Sequence, residues 1–326
     1  MPRPRAFVSR EIFSDAYKMI EAEADTELWE EELPPPRDTL LSKVEGINGL
    51  LCLLTDKVDA ELMDTAGPQL KVISQIAVGY DNIDVPEATK RGIPVGNTPE
   101  VLTNTTADAA WALLMASARR IGEGERAVRG GQWRTWHPLH YLGQDIHGAT
   151  LGIVGMGRIG YEVARRSSGF NMNVLYYDIA RRKDLEAKFP MKHVDLDTLL
   201  RKSDFISLHT VLDETTHHLI SYEALSKMKS TAIVVNAARG PVVDHKALYN
   251  ALKDGQIAGA GLDVTEPEPI PQDDPLLTLD NCVIVPHLAS ASYKTRGEMS
   301  RIAAQNLING MKGEKLLTCV NPEVYN

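Results

Sequence analysis

Three polar residues stand where apolar runs end, and together their types can serve one reaction. Ile233-Val234-Val235 leads into Asn236-Ala237-Ala238-Arg239-Gly240. Gly261-Leu262-Asp263-Val264 leads into Thr265-Glu266-Pro267-Glu268-Pro269, and Val283-Ile284-Val285 leads into Pro286-His287. The planar guanidinium of Arg239 can pair with a carboxylate through two hydrogen bonds and polarise a neighbouring carbonyl. The imidazole of His287 exchanges a proton near neutrality and can protonate a developing alkoxide. A carboxylate such as Glu268 beside that ring would keep it charged and oriented. Taken singly, each has a plainer reading as a surface ion pair, a structural hydrogen bond or a loop carboxylate. Their joint appearance is what carries the case.

A second constellation supplies the context. Thr150-Leu151-Gly152-Ile153-Val154 runs straight into Gly155-Met156-Gly157-Arg158-Ile159-Gly160. Gly155 permits a tight turn, Gly157 lets the backbone approach a pyrophosphate, and Gly160 allows close packing of the following helix on the strand. The N-terminus of that helix turns its amides and its positive dipole end toward the phosphates. Asp178 closes the next apolar run, 18 residues after Gly160. A carboxylate there accepts hydrogen bonds from the adenosine ribose and repels a 2′-phosphate, which favours NAD(H) over NADP(H). Arg181 and Arg182 follow within a turn and suit a 2′-phosphate, so both coenzymes stay open, with NAD preferred. A dinucleotide beside Arg239, Glu268 and His287 makes hydride transfer to a 2-oxo acid the reaction that uses them all.

The elements that must position these residues form two alternating series. Strands are expected at Arg5–Ser9, Gly49–Leu54 and Leu70–Ala77, with helices at Glu11–Ala24 and Asp59–Ala66. Glu100–Ile121 reads as one long helix ending at Gly122, and an irregular loop follows with Trp133 and Trp136. The second series of strands is expected at Thr150–Gly155, Asn173–Asp178, Asp204–Thr210, Thr231–Ala238, Gly259–Val264 and Cys282–Pro286. Asp244–Asp254 reads as a helix with Asp at its start and Gly255 past its end, and Ser290–Met311 is helical. Strands alternating with helices predict an α/β chain with two doubly wound, Rossmann-like parallel sheets and a cleft between the domains. Ligands are expected at the carboxyl ends of the strands.

Composition agrees with a globular protein of two domains: 326 residues, 43% hydrophobic and 24% charged. A net charge of −9 offers no field for nucleic acid, so none is expected as a partner, and a small anion would need a local cation such as Arg239. No apolar run reaches membrane-spanning length, and no signal segment opens the chain. The cysteines, Cys52, Cys282 and Cys319, are odd in number and scattered, which suits free thiols in a reducing cytoplasm. His137, His140, His147, His217 and His218 have no carboxylate or cysteine at a fixed sequence spacing, and no metal site is expected. Asp81 and Asp84 are read as caps.

With Val78-Gly79-Tyr80-Asp81-Asn82-Ile83-Asp84, the glycine turn, Asn-Ala-Ala-Arg-Gly, Gly-Leu-Asp-Val followed by Glu-Pro, and Pro-His, the chain resembles the D-isomer-specific 2-hydroxyacid dehydrogenases along nearly its whole length. The resemblance implies a substrate-binding, flavodoxin-like domain of residues 1–99 plus 289–326. It implies a dinucleotide-binding domain of residues 100–288 with a dimerisation arm at about 120–147. Arg239, Glu268 and His287 take the family's catalytic roles by this resemblance. The coenzyme is expected against Gly155, Met156, Gly157, Arg158, Ile159, Gly160, Asp178, Arg181, Thr210, Val211, Ala237, Arg239, Asp263, His287 and Thr106. The substrate is expected against Leu54, Val78, Gly79, Arg239 and His287, with Trp136 reaching a partner's site in a homodimer.

Ser117-Ala118-Arg119-Arg120, the tryptophan loop and Leu53-Leu54-Thr55-Asp56 most resemble glyoxylate/hydroxypyruvate reductases, which implies reduction to glycolate or D-glycerate. Two positions depart from the family's pattern. Thr210-Val211-Leu212 lacks a proline often found there, and Leu288-Ala289-Ser290-Ala291-Ser292 replaces the commoner Ile-Gly-Ser-Ala-Thr. The alternatives are a phosphoglycerate or lactate dehydrogenase of the same family, or an NAD-sensing corepressor-like protein. A regulatory domain past Asn326 and a disordered tail are both unexpected.

Overall fold

The computed structural model describes residues 2–326, which form two compact units. The first runs to Leu102 and resumes at Ala291–Asn326; the second is Thr103–Ser290.

In the first unit, Arg5–Val8 (β1), Asp25–Leu28 (β2), Gly49–Cys52 (β3), Val72–Gln75 (β4) and Val95–Gly96 (β5) form a parallel sheet ordered β2-β1-β3-β4-β5. β3 and β4 are buried throughout, as central strands covered on both faces must be. The helix Tyr293–Lys312 packs on this sheet, and its contacts leave no room for larger residues. A Cβ on Gly310 would lie 2.4 Å from Val72 Cβ, and one on Gly49 would lie 2.8 Å from Leu307 Cδ1. The helix begins where Ser292 accepts a hydrogen bond from the Thr295 N–H at 3.1 Å. Asp84 likewise caps the short helix Val85–Lys90 by accepting from the Glu87 N–H at 3.0 Å.

The second unit is a seven-stranded sheet. Its strands are Thr150–Val154 (β6), Asn173–Tyr177 (β7), Lys192–His193 (β8), Phe205–Leu208 (β9), Ile233–Asn236 (β10), Gly259–Leu262 (β11) and Cys282–Ile284 (β12). They lie parallel in the order β12-β11-β10-β9-β6-β7-β8, so the direction of strand succession reverses at the β6–β9 pair. Ligands of such sheets bind beyond the carboxyl ends of the strands at that reversal. Asp244 caps the helix His245–Lys253 by accepting from the Ala247 N–H, and Gly255 follows with φ of 67°. Cys52 and Cys282 are buried, and all three cysteines are free thiols.

The long helix expected over Glu100–Ile121 is in fact two, Thr103–Ala118 and Ile121–Arg129, broken at Arg120 with φ of 52°. The cause is a distant loop. The Gln144 N–H donates to the Ala118 carbonyl at 2.8 Å, so that group is satisfied without another helical turn. A Cβ on Gly143 would sit 2.1 Å from the same oxygen, so the loop can approach only as glycine. Strands β2, β5 and β8 also fall outside the expected set. Two of them are a pair of residues each, and β2 is a polar edge strand.

Candidate active site

The glycine turn is set by backbone contacts on both sides. Gly155 has φ of 93°, a conformation that side-chain-bearing residues avoid, and its N–H donates to the Tyr177 carbonyl at 2.9 Å. A Cβ there would lie 2.6 Å from the His209 carbonyl oxygen at the end of β9. At Gly160 a Cβ would come within 2.1 Å of the Gly155 carbonyl, so the helix Arg158–Arg166 can pack on the strand only with glycine at that position. Gly157 differs, because a Cβ there would meet nothing within 4 Å. The space before this helix N-terminus is therefore open, as the approach of a pyrophosphate requires. The buried Thr210 Oγ1 has no hydrogen-bond partner, and the Thr210 backbone N lies 2.9 Å from where a Gly155 Cβ would be. Both features fit a dinucleotide lying across the turn.

At the end of β7, Asp178 Oδ2 accepts from the Met156 N–H at 2.7 Å. Arg181 pairs with Glu186 through Nε and Nη2, and Arg182 pairs with Asp184 while donating to the Met156 carbonyl at 2.9 Å. Thr106 and Ala237 are buried, whereas Val211 is 72% exposed. His209 is neutral: burial drives its imidazole down to about 3, and it pairs with Ser207 Oγ at 2.8 Å.

The second unit also gathers Arg239, Glu268, His287 and Asp263. β10 ends at Asn236, whose amide bridges the turn, donating to the Arg239 carbonyl at 2.8 Å and accepting from the Ala238 N–H at 3.0 Å. Arg239 Nη1 donates to the Ala238 carbonyl. A Cβ on Gly240 would lie 1.9 Å from the Thr265 carbonyl oxygen, which brings the turn after β10 against the loop after β11. That loop carries Glu268, whose Oε1 accepts from His287 Nδ1 at 2.5 Å. Burial pushes the Glu268 carboxyl up, but the His287 hydrogen bond and charge, the Thr265 N–H and Arg239 outweigh it, so Glu268 titrates below its ordinary range.

His287 has φ of 48°, a left-handed conformation that costs roughly 1–2 kcal/mol for a side-chain-bearing residue. Asp263 holds it there. The His287 N–H donates to the Asp263 carbonyl at 2.9 Å, and the Asp263 carboxylate accepts from Leu288 and Ala289 at 2.7 and 3.1 Å. Burial raises the Asp263 carboxyl, and those two amides and His287 only partly offset the shift.

The remaining expected residues lie elsewhere. Leu54, Val78 and Gly79 belong to the first unit, just past β3 and β4. There the Asn82 amide donates to Leu53 and Asp56 carbonyls and to Gln75 Oε1, joining the two loops. Trp136 is 80% exposed on its loop.

Comparison with known proteins decides the family. Residues 111–289 match the model for the NAD-binding domain of D-isomer specific 2-hydroxyacid dehydrogenases. Along 99% of its length the chain is 55% identical to a glyoxylate reductase of Korarchaeum cryptofilum, of which 97% is covered. The chain belongs to the D-isomer-specific 2-hydroxyacid dehydrogenases. It also superposes on a glyoxylate reductase from Paecilomyes thermophila with a TM-score of 0.87, at 34% identity and with 99% of each chain covered. An NADPH-dependent glyoxylate/hydroxypyruvate reductase from Sinorhizobium meliloti, solved with NADP and malonate, gives a TM-score of 0.84 at 32% identity, covering 98% of this chain and 97% of that one.

This dehydrogenase is thus an oxidoreductase whose coenzyme is a nicotinamide dinucleotide, and no helix among its described residues is long and apolar enough to cross a membrane. The sequence of this dehydrogenase shows the expected site residues but not how they are held. Asn236, Gly240 and Thr265 hold Arg239 and Glu268, and Asp263 holds His287 through backbone amides. Asn236 and Asp263 stand out in the sequence as polar residues closing apolar runs, Asp263 there as a coenzyme residue, whereas nothing marks Thr265 or the close approach at Gly240.

Proposed function

We propose that the chain reduces glyoxylate to glycolate, with hydroxypyruvate as a second substrate yielding D-glycerate, and that NADH is the preferred donor. The observation that carries this reading is the 2.5 Å pair of His287 Nδ1 and Glu268, in the same unit as the glycine turn. An imidazole whose Nδ1 is paired with a carboxylate is oriented to act as a proton donor to a substrate oxygen.

A nicotinamide coenzyme held at the glycine turn, Gly155 to Gly160, would supply the hydride for reduction at C2 of the 2-oxo acid. Arg239 binds the carboxylate and polarises the carbonyl, in a two-point contact suited to its planar fork. His287 gives its proton to the carbonyl oxygen as charge develops there, and Glu268 stabilises the imidazolium before the transfer. Asp263 keeps His287 in its strained conformation.

The full-length similarity to glyoxylate reductases supports the choice of substrate. For the coenzyme, Asp178 stands where a 2′-phosphate would be repelled, and Arg181 and Arg182 are engaged with carboxylates of their own. We further propose a homodimer in the cytoplasm. Trp133, Trp136, Leu139 and Leu142 are 66, 80, 71 and 61% exposed along one loop, an apolar surface that a partner would cover. Three free thiols suit a reducing compartment.

Initial rates with NADH and NADPH against glyoxylate, hydroxypyruvate, pyruvate and 3-phosphohydroxypyruvate test the reading. The highest kcat/KM belongs to glyoxylate with NADH. Binding of NADH without reduction of any 2-oxo acid would overturn it in favour of a coenzyme sensor.

A further inference from the structure

His217 and His218 have no role in the reaction described, and the residue that gives them one lies far along the chain. The carboxylate of Glu266 reaches both rings: His218 Nε2 stands 2.8 Å from Oε2, and His217 Nε2 stands 3.8 Å from Oε1. The two imidazoles stack with centroids 4.0 Å apart, and the nearest donor atoms of all three residues lie within 4.8 Å of one another. A tetrahedral zinc ion with bonds of about 2.0–2.2 Å holds its donor atoms about 3.3 Å apart, so the three donors must draw together to hold one. Ring rotations and a shift of Glu266 would close the set.

The backbone beneath the two histidines is held by hydrogen bonds. His218 has φ of 50°, and its N–H donates to the Pro241 carbonyl at 2.7 Å, while the His217 N–H donates to Asp213 at 2.9 Å. On the other side, the Glu266 N–H donates to His245 Nδ1 at 3.2 Å. The side chains of His217, His218 and Glu266 are 53, 37 and 33% exposed, so an ion can enter from solvent. Two imidazoles and one carboxylate form a ligand set for Zn²⁺ and its neighbours in the first transition row, with water completing the shell.

We propose that His217, His218 and Glu266 form a binding site for one divalent transition-metal ion, and that filling it slows the dehydrogenase through Glu268. The link is short. Glu266 and Glu268 are separated only by Pro267, whose carbonyl accepts from Thr265 Oγ1 at 2.8 Å, and the Thr265 N–H faces Glu268 Oε2 at 3.4 Å. Drawing Glu266 onto an ion moves the segment that presents Glu268 to His287.

The test uses the full chain with Co²⁺ or Zn²⁺ alone, read by visible absorption of Co²⁺ and by calorimetry, with no substrate present. One ion binds per chain, and His217→Ala, His218→Ala and Glu266→Gln each weaken binding more than about tenfold. His137→Ala with His140→Ala, which removes the other stacked pair, leaves binding unchanged. No saturable binding, or binding lost only in the His137/His140 variant, would overturn the site. In rate assays Zn²⁺ inhibits the wild type and not His217→Ala, whose rate without metal is normal. Saturation of the site with an unaltered rate would overturn the coupling to Glu268. Because binding is read without turnover, failure of the site and failure of the proposed reaction are separable.

Discussion

The carboxylate of Asp178 accepts a hydrogen bond from the backbone N–H of Met156 at 2.7 Å, joining the end of β7 to the middle of the glycine turn. One side chain therefore shapes the glycine turn and, in the proposed reading, sets the charge that the adenosine ribose would meet. Asp178→Ser keeps a small polar group and removes the charge. The ratio of kcat/KM for NADPH over NADH should rise by more than about tenfold, because the repulsion of a 2′-phosphate is gone. An unchanged ratio would remove Asp178 from coenzyme selection.

Glu268 titrates below its ordinary range despite burial, so its pairing with His287 stabilises the fold fully above about pH 4.3 and is lost as pH falls through the lowered folded value. Glu268→Gln abolishes that dependence. The variant should lose about 10²–10⁴-fold in kcat, since the ring loses the carboxylate that orients it for proton transfer. A variant that keeps the full kcat would leave Glu268 a merely structural neighbour.

Two glycines make opposite predictions. Gly240→Ala forces a Cβ to within 1.9 Å of the Thr265 carbonyl, so the Arg239 turn or the Glu268 loop must shift. A displacement of about 1 Å lowers rates about a hundredfold, and that loss is expected in kcat/KM with glyoxylate. Gly157→Ala meets nothing in the chain within 4 Å. It should leave Tm unchanged and raise KM for the coenzyme, which thermal melts and coenzyme titrations would separate.

Trp133→Ser with Trp136→Ser removes the large apolar surfaces of the exposed loop. Sedimentation should show a dimer for the wild type and a shift toward monomer for the variant. A wild type that sediments as a monomer would refute the proposed dimer.

Much of this architecture is legible in the sequence because buried parallel strands are mostly apolar, as Ile233–Asn236 and Phe205–Leu208 are apart from Asn236 and Ser207. Gly155 and Gly160 were legible for a related reason, since turn and packing admit no side chain there. What the sequence hides is set by partners far along the chain. Arg120 breaks a helix because Gln144 satisfies Ala118, and Asp25–Leu28 is a strand only because β1 lies beside it. The approach of Glu266 to His218 spans a separation of 48 residues that no local pattern encodes.

The helix Tyr293–Lys312 completes the first unit although nearly two hundred residues of the second precede it in the chain. Synthesis therefore delivers the parts out of structural order. When Ser290 leaves the ribosome, every strand of the coenzyme-binding sheet has been made, while Val8, Leu51 and Val72 still lack Ala303, Ala304 and Leu307, which share their core. The first unit must wait with an uncovered apolar face, and that interval is when a nascent chain of this design depends most on chaperones.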